Sequence, residues 1–156
     1  MALQVGSQAP DFSLLTDAAA KLTLSSLRGK KIVLSFYPKA DTPGCTREAC
    51  SFLDDFPRIE AANTVVLGVS PDKPEALAKF KTKYSLPFTL LSDVEHAVAE
   101  QYGVWKLKKN YGKEYMGIER TTFVIGTDDK IAKIFSKVKV DGHSAEVLAA
   151  LSEVQG

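Results

Sequence analysis

Cysteine and tryptophan are scarce: the 156 residues hold two cysteines and one tryptophan. Two thiols cannot build the multi-bridge framework of a small secreted scaffold, and a chain of this length with 45% hydrophobic residues can bury a core without one. Excess charge is missing as well. The 20 basic and 19 acidic residues leave a formal charge of +1, so the electrostatic footprint of a nucleic-acid binder, or of a protein held on an anionic membrane, is absent. No apolar run approaches the ~20 residues that span a bilayer. The first ten residues carry neither a basic leader nor a long apolar stretch. The chain is therefore expected to be soluble and cytoplasmic, one domain over residues 1–156 with no internal repeat, low-complexity tract or linker. In such a compartment two cysteines point to catalysis or redox sensing ahead of a structural staple.

Both cysteines fall in one short stretch. Ile32 to Tyr37 is an apolar run that reads as a buried strand, and the pattern from Pro43 through Phe56 reads as a helix ending near Ala62 and Asn63. Pro43 suits the first helical position, because the N–H it lacks has no partner there, and Thr42 before it is a fitting N-cap. Cys45 then lies in the first turn. Unpaired N–H groups and the positive end of the helix dipole both favour thiolate over thiol at that place.

The rest of the chain supplies the frame. Asp11 to Leu14 and Lys21 to Leu24 are short segments about an Ala-rich turn, as in a hairpin. Thr64 to Val69 is β-branched and almost wholly apolar, the mark of a strand buried on both faces of a parallel sheet. Asp72 with Glu75, and Ser92 with Glu95, read as capping boxes opening helices on either side of a strand at Phe88 to Leu91. Gly103 closes the second of these helices. Residues Val104 to Glu119, rich in Lys, Gly and Tyr, read as a loop with a basic Lys106 to Lys109 run. Thr121 to Ile125 and Ile131 to Phe135 form a hairpin, and a last helix runs from about Ser144 to Val154. Right-handed crossovers then give an α/β fold, a mixed sheet with helices on both faces.

Cys45 and Cys50 are five residues apart, about 7.5 Å of rise and about 140° of rotation on a helix. Their side chains point apart, and a disulfide wants Cα atoms within about 6.8 Å, so pairing requires local unwinding. Cys-x-x-Cys, the spacing of a general disulfide exchanger, is absent. A reactive thiol needs charge partners, and Arg47 and Arg120 are the candidates. Glu48 either supports the site by hydrogen bonding or is simply a first-turn acid. Cys45, Cys50, His96 and His143 have the ligand count of a zinc site but no recognisable spacing, and the two histidines read as surface or capping residues. A pair of inert buried thiols, a redox sensor, a holdase and a disulfide isomerase are alternative readings.

The motifs carry a resemblance. Pro38-x-x-x-Thr42-x-x-Cys45 matches the active-site motif of the peroxiredoxins, and Pro43-Gly44-Cys45-Thr46-Arg47-Glu48-Ala49-Cys50 resembles the bacterioferritin-comigratory-protein (peroxiredoxin Q) subfamily. The likeness begins at Gly6-x-x-Ala9-Pro10-Asp11-Phe12, includes Gly68-Val69-Ser70, and recurs at Gly103-Val104-Trp105 and from Tyr111 to Ile125. It implies a thioredoxin-like fold with an N-terminal β-hairpin extension. It further implies that Cys45 is the peroxidatic cysteine, that Thr42 orients the peroxide, and that Arg120 favours the thiolate and steadies the leaving oxygen. Pro38 would shield the site from water, and Cys50 takes the resolving position. The implied activity is reduction of hydrogen peroxide or organic hydroperoxides through a sulfenic acid and a Cys45–Cys50 disulfide. Thioredoxin, or glutaredoxin, would recycle the enzyme in antioxidant defence, and no haem, flavin or metal is required. Resolution within one chain makes a monomer the expected state, with a weak homodimer compatible. One departure lies in Gly126-Thr127-Asp128-Asp129, where the family tends to place an acidic residue followed by Gly.

Overall fold

The computed structural model describes residues 3–139 and 141–154. Nine strands and four α-helices follow one another along it. β1 (Ser13–Thr16) and β2 (Lys21–Thr23) form the expected hairpin, and a 3-10 turn over Leu24–Leu27 leads into β3 (Lys31–Phe36). Then come α1 (Pro43–Ala61), β4 (Thr64–Ser70), α2 (Pro74–Tyr84), β5 (Thr89–Ser92) and α3 (Ala97–Gln101). After β6 (Trp105–Asn110) and β7 (Lys113–Ile118), the chain ends with β8 (Thr121–Ile125), β9 (Ile131–Phe135) and α4 (His143–Glu153). Seven strands make one mixed sheet in the order β2-β1-β5-β4-β3-β8-β9, with β3 parallel to β4 and antiparallel to β8.

Side chains alternate along β3. Ile32, Leu34 and Phe36 join Phe12, Val98, Ala99 and Tyr102 on the face covered by the N-terminal segment and α3. Val33 and Tyr37 join Cys45, Phe52, Phe80 and Leu151 on the face covered by α1, α2 and α4. All six residues of β3 are buried, Lys31 and Ser35 included, as befits a central strand built on the apolar Ile32, Val33, Leu34 and Phe36.

Three local expectations are corrected. Residues 104–119 are not a loop: β6 and β7 pair antiparallel from Trp105↔Ile118 to Asn110↔Lys113 in a sheet of their own. Tyr111 and Gly112, at φ 51° and 77°, form the two-residue turn. Positive φ at both central residues is the hairpin geometry whose twist matches the strands, and Tyr at the first place hides that signal in the sequence. Neither capping box forms. Lys73 is the N-cap of α2 and makes no side-chain cap bond. At α3 the carboxylate of Asp93, and not Ser92, accepts from the Val98 and Ala99 N–H groups. The β8–β9 turn tolerates its missing glycine because Asp129 itself adopts φ 64°, a conformation that Asp reaches more readily than most residues.

Candidate active site

The alternation that buries Val33 on the α1 side of the sheet also turns Ser35 and Tyr37 towards that helix. Beyond β3 the chain crosses to α1 over residues 37–42, held by its neighbours. Tyr37 N–H donates to the Val69 carbonyl at 3.0 Å. Ala40 N–H donates to Asp72 Oδ2 at 2.7 Å, and Ser70 Oγ donates to the same oxygen at 2.7 Å. Asp72, expected to cap α2, therefore ties this loop to the end of β4. Asp41, at φ 58°, accepts from Lys83 Nζ and from Tyr84 Oη, each at 3.0 Å.

Thr42 stands at the N-cap position of α1 with extended backbone, and Pro43 occupies the first turn as anticipated. The Thr42 hydroxyl does not cap. It donates to the Lys39 carbonyl at 2.9 Å, so its own proton is committed and its oxygen is left to accept. Cys45 is 3% exposed and both cysteines are free thiols. Pro38 and Cys50 are half-buried, Pro38 at the start of the crossing and Cys50 farther along the unbroken α1.

Strand register brings in the arginine. Phe36 pairs with Thr121 across β3 and β8, so Arg120 emerges beside the start of the crossing, where α1 begins. Its Nη2 donates to Cys45 Sγ at 3.1 Å and its Nη1 to Glu48 Oε1 at 2.9 Å. Glu48 lies three residues after Cys45 on the same helical face, and at 3% exposure it is no mere surface acid. Burial pushes the Glu48 carboxyl above its ordinary range although Arg120 opposes the rise. Burial would lower the Arg120 guanidinium, but Glu48 and Cys45 more than restore it. One fork thus binds a sulfur and a carboxylate at once, and such bonds are strongest to an anionic acceptor. Arg47, the other candidate cation, points elsewhere and pairs with Asp141 at 3.2 Å on the surface. From β6, Lys108 comes within electrostatic reach: burial and the nearby Arg120 both depress its ammonium.

Behind the sulfur lies a cavity of about 20 Å³, lined by Ser35, Tyr37, Glu48, Gly68 and Phe80. It has room for one water-sized molecule.

Some contributions were not legible beforehand. Gly44 is one: a Cβ built there would stand 3.3 Å from Arg120 Nη2. Gly44→Ala is expected to displace the guanidinium and slow reaction of the Cys45 thiol about tenfold, the scale of one weakened charged hydrogen bond, with little change in melting temperature. Rapid-mixing kinetics with peroxide would measure it. His143, read as a surface or capping residue, is instead 1% exposed. Its Nε2 is hydrogen-bonded with Thr122 Oγ1 at 2.8 Å, and its ring stands edge-on to Phe52 and Phe135. Burial lowers its basicity below the usual imidazole value. His96 does hold a cap position, at α3, and stacks on Trp105 with ring centroids 3.9 Å apart.

The family model described as AhpC/TSA family matches residues 5–134. The chain is 54% identical over 151 residues to a putative peroxiredoxin bcp of Coxiella burnetii, covering 97% of this chain and 100% of that protein. It is 51% identical over 154 residues to peroxiredoxin Bcp of Bacillus subtilis, covering 99% and 98%. Among solved structures it is similar to the bacterioferritin comigratory protein of Xanthomonas campestris, studied for alkyl peroxide reduction, with TM-score 0.89, 36% identity and coverage of 97% and 96%. A PrxQ of Xylella fastidiosa superposes with TM-score 0.93 at 34% identity, covering 98% of each chain. The fold is thus the thioredoxin-like fold of the peroxiredoxins. Among the described residues no helix is long and apolar enough to cross a membrane.

Proposed function

The chain belongs to the AhpC/TSA family and is a thiol peroxidase, and from that premise we propose that Cys45 is the peroxidatic cysteine of an in-chain, two-cysteine cycle. The observation that supports this best is the 3.1 Å bond from Arg120 Nη2 to Cys45 Sγ, which pairs the one buried thiol of the site with a fixed cation.

A hydroperoxide enters on the Thr42 side. Thr42 Oγ1, its O–H already donated to the Lys39 carbonyl, accepts the peroxide O–H and turns the terminal oxygen towards sulfur. The Cys45 thiolate attacks that oxygen, the O–O bond breaks, and an S–O bond forms. Arg120 bears the charge that develops on the departing oxygen, which leaves as water or an alcohol after taking up a proton. Pro38 keeps bulk water from the sulfur. Sulfur is oxidised to sulfenic acid and the peroxide is reduced. The Cys50 thiolate then attacks the Cys45 sulfur, forming S–S and releasing the hydroxyl as water. Because α1 is continuous from Pro43 to Ala61, this second step requires the helix around Cys50 to unwind. A dithiol protein, thioredoxin or glutaredoxin, reduces the disulfide by exchange. Both hydrogen peroxide and organic hydroperoxides serve as substrates, and the role is peroxide defence in the cytoplasm by a chain that works as a monomer.

The test mixes reduced protein with one equivalent of hydrogen peroxide while thiol loss, peroxide consumption and disulfide position are followed. Rapid stoichiometric oxidation giving a Cys45–Cys50 link is expected. Oxidation no faster than that of an ordinary free thiol would refute the assignment of Cys45. Cys50→Ser is expected to consume one equivalent of peroxide at the wild-type rate and then stall, with thioredoxin-linked turnover at a few per cent of wild type. Undiminished turnover would move resolution to another thiol.

A further inference from the structure

Oxidation leaves Cys50 on a helix that must open, and the N-terminus of α4 is fastened to that same part of α1. Ser144 Oγ donates to Asp55 Oδ2 at 2.6 Å. Ser51 Oγ and Ser144 Oγ are 2.7 Å apart. A hydroxyl has one proton, and since Ser144 gives its own to Asp55, Ser51 is the donor to Ser144. A relay therefore runs from Ser51, next to Cys50, across to α4 and back to Asp55 one turn farther along α1. Ser144 is 5% exposed, so water does not readily replace these bonds. Beside it the buried His143 ring packs edge-on against Phe52. On the outside Arg47 and Asp141 add an ion pair that is well exposed and adds little.

We propose that Ser144 is a positioning residue for the second half of the cycle: by holding Ser51 and Asp55 it keeps the Cys50 turn helical and so sets how fast the sulfenic acid is resolved. This rests on the in-chain disulfide proposed above. Ser144 touches neither the sulfur of Cys45 nor Arg120, so it leaves the first oxidation alone. It governs the interval during which the sulfenic acid persists. Within that interval a second peroxide can react with the sulfenate, cleaving its O–O bond, carrying sulfur to the sulfinic acid and leaving as water or alcohol. A tighter fastening means more of that product, and a looser one means faster disulfide.

The experiment compares the intact protein with Ser144→Ala, Ser51→Ala and Ser144→Thr by rapid mixing with peroxide, quenching, and mass analysis of sulfenic, disulfide and sulfinic forms. Expected is an unchanged rate of sulfenic acid formation in all four. Disulfide formation should be roughly tenfold faster in Ser144→Ala, the scale of losing the charge-assisted bond to Asp55, and about two- to threefold faster in Ser51→Ala, which loses only the neutral bond to Ser144, with sulfinic acid at high peroxide reduced in proportion. Ser144→Thr retains the hydroxyl and should behave as wild type, a rescue that a mere packing role would not produce. Disulfide formation in Ser144→Ala and Ser51→Ala that is unchanged, or slower, overturns the proposal while leaving the cycle intact. Failure of the wild-type protein to form the Cys45–Cys50 link overturns the cycle itself, and this proposal with it.

Discussion

Cys45→Ser is expected to reduce peroxide turnover to background, a loss of roughly 10⁴-fold or more, the scale on which removal of a nucleophile acts. The replacement is nearly isosteric, and Cys45 is buried among Ala49, Phe52 and Phe80, so the variant should fold. What disappears is chemical. A serine hydroxyl is not ionised near neutrality and oxygen cannot be oxidised by peroxide, so neither the attack nor the sulfenic acid is available. A coupled assay with thioredoxin and its reductase measures the loss, and circular dichroism checks the fold. Normal turnover in this variant would mean that the reaction belongs to another group.

Arg120→Met carries the second largest effect. The first oxidation should slow about 10²–10³-fold, as when one preorganised donor to a developing charge is removed. Arg120→Lys should recover only part of this, because an ammonium cannot reproduce the fork that reaches Cys45 Sγ and Glu48 Oε1 together. Stability changes too. Glu48 would be a buried carboxylate without its cation, a defect worth up to about 3–5 kcal/mol when the charge is retained. Its carboxyl is already pushed up by burial and opposed by Arg120, so loss of the arginine pushes it higher. A carboxyl raised in the folded state destabilises the fold when ionised. That penalty is absent below the ordinary carboxyl range near about 4.3 and grows as pH rises through the folded value. Unfolding free energy of Arg120→Met should therefore fall as pH rises across mildly acidic values. The double variant with Glu48→Gln should be flat there. An equally steep fall in the double variant would assign the pH dependence to a different group.

The main strands, the helix bearing Cys45 and the closing helix are legible in the chain because each depends on a short window: a run of apolar residues, a Pro at a helix start, a period of 3.6. The failures have a common cause. Asp72 and Ser92 sit three residues before a glutamate, yet Asp72 is drawn to Ala40 N–H and Ser70 Oγ and Ser92 Oγ to the Asp72 carbonyl. A polar side chain within reach of a distant partner need not cap the nearest helix. Residues 104–119 carry no alternation to detect, because on this largely exposed strand pair Leu107, Tyr115 and Met116 face outward as Lys106 and Lys109 do. His143 looked like a surface residue because nothing local reveals that Phe52, Thr122 and Phe135 close over it.

The helix-start setting of Cys45 can be read from the chain alone, since a cysteine two places after a proline at a helix start experiences the helix terminus whatever the rest of the chain does. That Cys45 and Cys50 cannot bond on an unbroken helix is equally legible, being a matter of pitch alone. Which cation meets the sulfur is set by long-range packing. Arg47 is two residues from Cys45 and turns to Asp141, whereas Arg120, 75 residues away, makes the contact. The physical reason is register: pairing of Phe36 with Thr121 places Arg120 at the mouth of the Cys45 turn, and the same packing brings Glu48 under its fork and Ser144 against Ser51 and Asp55.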